Sequence, residues 1–339
     1  MTAETKKRVL VVGAGGFSGG FIVEEALRRG FSVHAGVRAT TSRRYLTDPR
    51  IEFLELDFDQ PATLAPALRA ALPEGERWDY IVYNLGATKC LNFTEFNKVN
   101  HDYLRSFTAA LRESGLIPSR LLYISSLSAL GPRHEADSAP FTEKDIPLPD
   151  TRYGTSKLKA EMWLHEAGIP FNIFRATGIY GPRDHDYFLM FKAISRGFDF
   201  SVGFRRQLLS FIYVGDLAAA IFDALDKAPA GETYNIAEPR TYTQKEFRTL
   251  AARALGRRLV LPLRMPLGAV RAVSSVAEKW GVARMKPSTL NSDKYRIMRQ
   301  RNWSVDVSKA ERDFGFRAAV PLEEGVRRAV DWYRANGWL

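Results

Sequence analysis

Tyr153 and Lys157 stand four residues apart in the run Tyr153-Gly154-Thr155-Ser156-Lys157. On a helix, that spacing puts both side chains on one face. A phenol with an ordinary pKa of about 10 is a poor base at neutral pH, and a nearby ammonium stabilises its phenolate. The pair is suited to moving a proton to or from a substrate oxygen. Ser126, at the end of the preceding strand-like segment, carries a hydroxyl that can hold the same oxygen. Asn100 can add a water-linked proton path to Lys157. Nearer the N-terminus, Gly13-Ala14-Gly15-Gly16-Phe17-Ser18-Gly19 directly follows the apolar run 9–12. Gly13, Gly16 and Gly19 permit a tight turn and let a pyrophosphate approach the backbone, and free N–H groups at the start of the next helix favour an anion. A phosphate cradle and a proton-transfer pair in one chain point to carbonyl/alcohol redox chemistry on a nicotinamide.

The elements that must position these residues read as alternating strands and helices. Segments 8–12, 31–37, 51–56, 79–84 and 120–125 have strand character. Between them, 17–29, a short stretch around 41–47, 61–72 and 95–114 have helical character, with Gly115 as a stop. Such alternation implies a parallel sheet covered on both faces, which binds ligands at the carboxyl ends of its strands. The stretch 132–150, with four prolines, reads as a surface loop leading to the helix of Tyr153. After about residue 178 the pattern changes to helical stretches near 186–196, 215–226, 243–255 and 266–283. The expected fold class is α/β, a Rossmann-type doubly wound parallel sheet with a smaller C-terminal α/β substrate-binding subdomain. Residues 1–177 are expected to form the dinucleotide-binding domain with the catalytic helix. Residues 178–339 are expected to form mainly the subdomain, with a segment of about 210–236 returning to the core.

Of the 339 residues, 45% are hydrophobic and 26% charged, an ordinary globular balance with enough chain for a large core. The formal net charge of +11 suits anionic ligands. Lys and Arg are dispersed, so the expectation is a basic surface around a phosphorylated cofactor and no nucleic-acid partner. The single cysteine, Cys90, cannot form a disulfide within the chain and fits a reducing, cytoplasmic setting; it reads as a small buried hydrophobe. The five histidines show no metal-ligand spacing, and no metal is expected. No apolar run approaches the roughly 20 residues needed to span a membrane.

Cofactor choice is read after the second strand, where an acid would accept a ribose 2′-hydroxyl. Here stand Gly36-Val37-Arg38, then Thr40, Thr41, Ser42, Arg43 and Arg44. Guanidinium groups and hydroxyls suit a 2′-phosphate. NADP(H) is favoured, NAD(H) remains possible, and Arg38 and Arg43 are the expected ligands.

As a set, several motifs resemble those of an extended short-chain dehydrogenase/reductase of the NAD-dependent epimerase/dehydratase family, within it the dihydroflavonol reductase and 3β-hydroxysteroid dehydrogenase-like branch. They are the glycine loop, Asp57-Phe58, Asn84-Leu85-Gly86-Ala87, Val99-Asn100, Tyr123-Ile124-Ser125-Ser126, Tyr153/Lys157, 175–182 and 211–217. The resemblance implies that Asp57 and Phe58 flank the adenine, and that Asn84, Leu85, Gly86 and Ala87 line the cofactor path. Thr177 and Gly178 would approach the nicotinamide. Gly15, Phe17, Ser18 and Ser125 would complete the cofactor site. Ser126, Tyr153 and Lys157 would form the catalytic triad, Asn100 would support it, and Asp216 would be structural. A homodimer through the helix of Tyr153 is a further expectation by resemblance.

The departures narrow the reaction. Sugar-nucleotide members usually carry an arginine before the Phe-Ile-Tyr-Val-type segment, where Leu209-Ser210 stands here. Their Arg-Pro-Gly-Asp-type segment is replaced by 301–306, although Arg205 and Arg206 could substitute as pyrophosphate ligands. Dehydratases usually carry an acidic pair beside the serine, where Leu127 and Ser128 follow Ser126. Aromatic residues crowd 188–211, and Phe188, Phe191 and Phe204 are expected, with Ser126, Tyr153 and Thr177, at the substrate. Leu267, Val270, Val273, Val276, Ala277 and Trp280 have helical spacing amid Arg264, Arg271, Lys279, Arg284 and Lys286. That segment reads as a lid or core-facing helix, with membrane-surface contact as the alternative. The resulting expectation is an NAD(P)-dependent oxidoreductase acting between a carbonyl and a secondary alcohol on a hydrophobic small molecule. The rivals are a nucleotide-sugar epimerase/dehydratase with tightly bound NAD and a non-catalytic nucleotide-sensing protein.

Overall fold

The computed structural model describes residues 6–286, 288 and 290–339; residues 1–5 of the expected first domain lie outside that range. The first half contains β1 (Arg8–Val12), α1 (Phe17–Arg28), β2 (Ser32–Val37), β3 (Ile51–Glu55), α2 (Leu64–Ala70) and β4 (Tyr80–Tyr83). It continues with α3 (Phe93–Asn97), a π-helical turn (Lys98–Asp102), α4 (Tyr103–Ser114), β5 (Arg120–Ser126), α5 (Arg152–Glu166) and β6 (Phe171–Ala176). The second half contains β7 (Gly178–Tyr180), α6 (Asp186–Ser195), β8 (Phe198–Val202), β9 (Leu208–Leu209), β10 (Phe211–Tyr213), α7 (Val214–Lys227) and β11 (Glu232–Ile236). After these come β12 (Tyr242–Thr243), α8 (Gln244–Ala254), β13 (Leu261–Met265), α9 (Leu267–Ala283), α10 (Ser292–Arg299), α11 (Ser308–Phe314) and α12 (Leu322–Ala335).

Seven strands form one parallel sheet in the order β11-β6-β5-β4-β1-β2-β3. The fold is the expected Rossmann-type α/β architecture. The apolar run of β1 explains the layering, because successive side chains point to opposite faces. Val9 and Val11 pack into one core with α1 and α7, while Leu10 and Val12 enter another with α2 and α4. Each such buried aliphatic side chain contributes ~1.5–3 kcal/mol relative to exposure. Chain order reverses between β1 and β4, which opens a crevice at their carboxyl ends. A third apolar cluster, including Tyr180, Phe191, Phe211, Phe247 and Tyr333, ties α6, α8 and α12 together.

Three local expectations change. Residues 41–47 form turns rather than a helix. The Thr41 and Ser42 hydroxyls accept the backbone N–H groups of Arg38 and Arg44 at 3.0 and 3.4 Å, in competition with helical bonding. The expected 95–114 helix is interrupted by the π-helical turn, a geometry that clusters at functional sites; it carries Asn100. Gly115, at φ 73°, does end α4. The 132–150 segment is only partly a surface loop. Phe141 is fully buried, and its backbone is bonded to Ser304 and Asp306 at 2.9 Å each.

Candidate active site

The glycine loop is shaped by contacts that a side chain would block. Gly13 has φ +83°, and a Cβ there would sit 2.8 Å from the Leu85 nitrogen. A Cβ on Gly19 would overlap the carbonyl oxygens of Gly13 and Ala14, and one on Gly15 would overlap the Thr41 methyl group. Gly16 is the N-cap of α1, and no side chain caps the amides at that end. They remain available to an anion. Phe17 opens the helix and meets Phe21 edge to face at 6.0 Å. The Ser18 hydroxyl donates to Asn84 Oδ1 at 2.9 Å, and Asn84 Nδ2 donates to the Gly13 carbonyl at 3.5 Å. These bonds tie the loop to the end of β4. Close backbone approach and bare helix amides fit a dinucleotide pyrophosphate.

Arg38, just beyond β2, is exposed and makes no ion pair among the described residues. Arg43 is more committed, stacked 4.2 Å over Phe53 and paired with Glu55 at 3.1 Å. Asp57 is exposed beyond β3, but the Phe58 side chain is buried, with its ring 5.2 Å from that of Tyr103. Phe58 is therefore a core residue, and its ring is not free to flank an adenine.

The reactive pair stands at the start of α5. Thr151 is the N-cap, and its hydroxyl accepts the Gly154 N–H at 2.9 Å. A side chain on Gly154 would overlap the Ser128 carbonyl oxygen, so this glycine lets α5 press against the turn after Ser126. Ser126 Oγ accepts the Ser128 N–H at 3.2 Å and stands close to the Tyr153 phenol. Burial raises the Tyr153 pKa above its ordinary value, and the nearby Ser126 hydroxyl opposes the shift. Lys157 is buried, and desolvation pushes its pKa down to about 8, opposed by the charge of Glu161. Its ammonium donates to the Ile124 carbonyl at 2.8 Å and lies 4.8 Å from the centre of the Tyr123 ring. The expected lowering of the phenol pKa by Lys157 is absent here, because the ammonium is turned to Ile124 and burial dominates. Tyr153 thus keeps its proton at neutral pH.

Asn100, Gly86 and Lys157 meet beneath this pair. A Cβ on Gly86 would lie 3.1 Å from Lys157 Nζ and 3.2 Å from Asn100 Oδ1. Asn100 accepts the Ala87 N–H at 2.8 Å and donates to the Ala87 carbonyl at 3.0 Å and to Ser156 Oγ at 2.9 Å. Both ends of its amide are engaged, so Asn100 clamps the 86–87 loop to α5. Ser125 differs from its neighbour: its hydroxyl donates to Glu161 at 2.5 Å, and Glu161 pairs with buried Arg175 at 2.6 Å. The Ser125 side chain satisfies that buried ion pair. Thr177 bonds through its N–H to Ile236 at 3.2 Å, and the Tyr187 hydroxyl fills the space a side chain on Gly178 would need.

The expectation for Phe191 is corrected, and the other two aromatics have different surroundings. Phe191 has no accessible surface and packs 5.8 Å from both Phe247 and Tyr333. Phe188 rests 5.1 Å from Tyr333 and 5.2 Å from Trp338. Phe204 is exposed on the turn after β8. Helix α6 turns Phe188 and Phe191 toward the C-terminal segment. Asp216 accepts the Val320 N–H at 2.9 Å, a structural bond. Cys90 is buried, and its thiol is pushed up to about 11, chiefly by desolvation.

Three contacts were not read from the sequence. Lys89, after β4, pairs with Asp186 of α6 at 2.6 Å. Asp293 of α10 accepts the backbone N–H groups of Arg152 and Tyr153 at 3.2 and 3.3 Å, and Arg152 pairs with Glu278 of α9 at 2.6 Å. Asp293 is more than a hundred positions from the helix it caps, and no local pattern announces it.

A model of the NAD dependent epimerase/dehydratase family matches residues 9–237. The ceramide reductase of Caulobacter vibrioides (strain NA1000 / CB15N) is 25% identical over 341 residues, covering 100% of this chain and 98% of that protein. The dTDP-glucose 4,6-dehydratase of Neisseria gonorrhoeae is 24% identical over 368 residues, covering 99% and 98%. In structure, dTDP-glucose 4,6-dehydratase from Bacillus anthracis str. Ames, solved in complex with NAD, superposes with TM-score 0.77 at 18% identity, over 98% of each chain.

Proposed function

Because this chain belongs to the NAD-dependent epimerase/dehydratase family and is an enzyme of the extended short-chain dehydrogenase/reductase type, we propose that it interconverts a carbonyl and a secondary alcohol on a hydrophobic small molecule, with NADP(H) as the favoured cofactor. The observation that carries the reading is the proximity of Ser126 to the Tyr153 phenol, with buried Lys157 one turn further along α5. Eliminating water needs an acid beside the serine to protonate the leaving hydroxyl. Buried Leu127 and half-buried Ser128 occupy those positions instead.

The residues around the crevice have distinct tasks. The α1 amides and the 13–19 loop would hold the pyrophosphate, Arg38 the 2′-phosphate, and Lys157 the nicotinamide ribose. The bound nicotinamide supplies the hydride. Ser126 holds the carbonyl oxygen. Tyr153, protonated at neutral pH, gives its phenolic proton to that oxygen as negative charge develops there. Asn100 keeps the 86–87 loop and α5 in register. The absent pyrophosphate clamps support an apolar substrate, since Leu209 and Ser210 stand at one position and Arg301 at the other is engaged with Glu135 at 3.7 Å. A full-length relative named for ceramide reduction supports the same class.

Tyr153→Phe tests the chemistry. Turnover of an apolar ketone should fall by about 10²–10⁴-fold, while calorimetric NADPH affinity stays within about twofold of the parent, a difference under ~0.5 kcal/mol. Retained turnover would remove Tyr153 from the reaction. Arg38→Ala tests cofactor choice. Losing one charge-assisted contact of ~1.5 kcal/mol should weaken NADPH about tenfold and leave NADH unchanged. Equal effects on both dinucleotides would take Arg38 off the 2′-phosphate, and tightly copurified NAD with sugar-nucleotide turnover would favour the epimerase instead.

A further inference from the structure

The β8–β13 ribbon and the adjoining helix α9 each expose apolar side chains. On the inner side of the ribbon, buried Asp199 binds Gln244 and Arg248 of α8 at 2.9 and 3.4 Å. Phe198 and Phe200 alternate with it and point the other way; they pair in register with Leu261 and Leu263. Phe198, Phe200 and Leu261 are all exposed. β13 runs through Pro266 directly into α9, and Leu267 lies 3.7 Å from the position of a side chain on Gly203, so the ribbon and the helix adjoin. On α9, Val270 and Ser274 face inward and Glu278 is tied to Arg152 and Ser292. The outer side of α9 carries Val276 at 68% exposure and Trp280 at 61%, with Val273 also exposed. Exposed apolar side chains gathered on adjoining elements mark an interaction face.

We infer that this face docks on an anionic phospholipid bilayer. The charge around it selects the partner. Between 257 and 286 there are seven cations (Arg257, Arg258, Arg264, Arg271, Lys279, Arg284 and Lys286) and a single acid, Glu278. The acid is already bound to Arg152, whereas none of the seven cations has an acidic partner among the described residues. The Arg284 guanidinium stacks 3.6 Å over the Trp280 ring, which puts a cation at the edge of the apolar surface. Apolar anchors ringed by Lys and Arg match acyl chains beneath phosphate headgroups. No described helix is long and apolar enough to cross a membrane, so α9 lies along the surface. The Glu278–Arg152 pair joins this helix to the residue before Tyr153. Docking would therefore set the catalytic helix beside the bilayer, within reach of a substrate dissolved in it. Only that delivery of substrate rests on the reductase reading; the docking does not.

The test is sedimentation of the full chain with vesicles of phosphatidylcholine, alone or mixed with phosphatidylglycerol. Binding is expected to the mixed vesicles at low salt, with release at high salt and little binding to phosphatidylcholine alone. Val276→Asp/Trp280→Asp and, separately, Arg271→Glu/Lys279→Glu should each cut the bound fraction at least about tenfold, because each removes one of the two attractions. Their melting curves should stay close to the parent's. If the parent stays in the supernatant with anionic vesicles, or both variants bind as it does, the proposal falls. It also falls if the parent is a dimer that Val276→Asp/Trp280→Asp dissociates without changing vesicle binding, which would make the face a contact between copies. Sedimentation requires no turnover, so lost vesicle binding with intact reduction of a soluble ketone would spare the reductase reading, and the reverse would spare the docking.

Discussion

Two helices point their N-termini into the same crevice, and they end in opposite ways. α1 begins at Gly16 with no side-chain cap, whereas α5 begins at Thr151 with its amides taken by Thr151 and Asp293. Uncapped amides at the end of a helix dipole are a standing demand for an anion. Fully capped amides demand nothing further and hold the first turn still. The first turn of α5 contains Tyr153, whose hydroxyl has to meet one oxygen. The contrast separates two tasks: α1 is left incomplete so that a ligand completes it, and α5 is completed internally so that a phenol stays in place.

The largest expected effect comes from spoiling the α1 end. Gly19→Ala puts a methyl group against the backbone carbonyls of Gly13 and Ala14, which cannot swing away as a flexible side chain can. The helix must retreat from the loop and carry its amides with it. Calorimetry should show dinucleotide affinity reduced about 10²-fold, corresponding to ~3 kcal/mol. The melting temperature should also fall. Unchanged affinity would show that the α1 amides do not hold the pyrophosphate.

The two ends were unequally legible in the sequence. Gly16 and Gly19 meet backbone only a few positions away, and Gly13 needs its φ of +83° at the turn itself, so spacing revealed the loop even though Gly13 also meets Leu85 and Gly15 meets Thr41. The strands were legible for the same reason, since Val9 to Val12 need only a sheet covered on both faces. The α5 end depends on Asp293, 140 positions from the Tyr153 amide it accepts, and that choice is made by tertiary packing. The aromatic run failed in a related way. Phe188 and Phe191 have the composition of a substrate wall, but Tyr333 and Trp338, from the far end of the chain, turn them into core. Phe58 and Ser125 turn their side chains into the fold, whereas Asp57 is exposed and Ser126 half-buried, and no local pattern separates the members of each pair. Thr151 could have been read locally, as a hydroxyl three residues before the amide it caps.

Lys157 is the next largest test, because it asks what α5 gives up to keep a cation under Tyr153. Burial holds Lys157 at about 8 in the fold against an ordinary value of 10.5. Between those values the unfolded chain binds more protons than the folded one, so the lysine's contribution to stability rises with pH. Below pH 8 the full penalty for burying the charge applies, ~3 kcal/mol from the size of the shift. In Lys157→Met this dependence disappears. The unfolding free energy of the variant minus that of the parent should therefore fall by ~3 kcal/mol between pH 7 and pH 10.5. Other titrating groups cancel in the difference, and so does the pH-independent loss of the bond to Ile124. A flat difference in denaturant titrations would mean that the ammonium is hydrated and not desolvated, and the crevice would then not be dry beneath Tyr153.

Thr151→Ala is the smallest effect and the sharpest test of the comparison. It removes one cap from the start of α5 and leaves Asp293 on the amides of Arg152 and Tyr153. Losing an N-cap hydroxyl costs about 1 kcal/mol of stability. The functional consequence should appear in kcat and not in cofactor affinity, because the loosened first turn holds the phenol and not the dinucleotide. A severalfold loss of kcat with unchanged NADPH affinity, restored by Thr151→Ser, would show that the cap acts by holding Tyr153. Serine keeps the hydroxyl and loses only the methyl group. If Thr151→Ala lowered the melting temperature and left kcat alone, the cap would serve only the helix. The contrast between the two N-termini would then lie in ligand binding on one side and ordinary helix stability on the other.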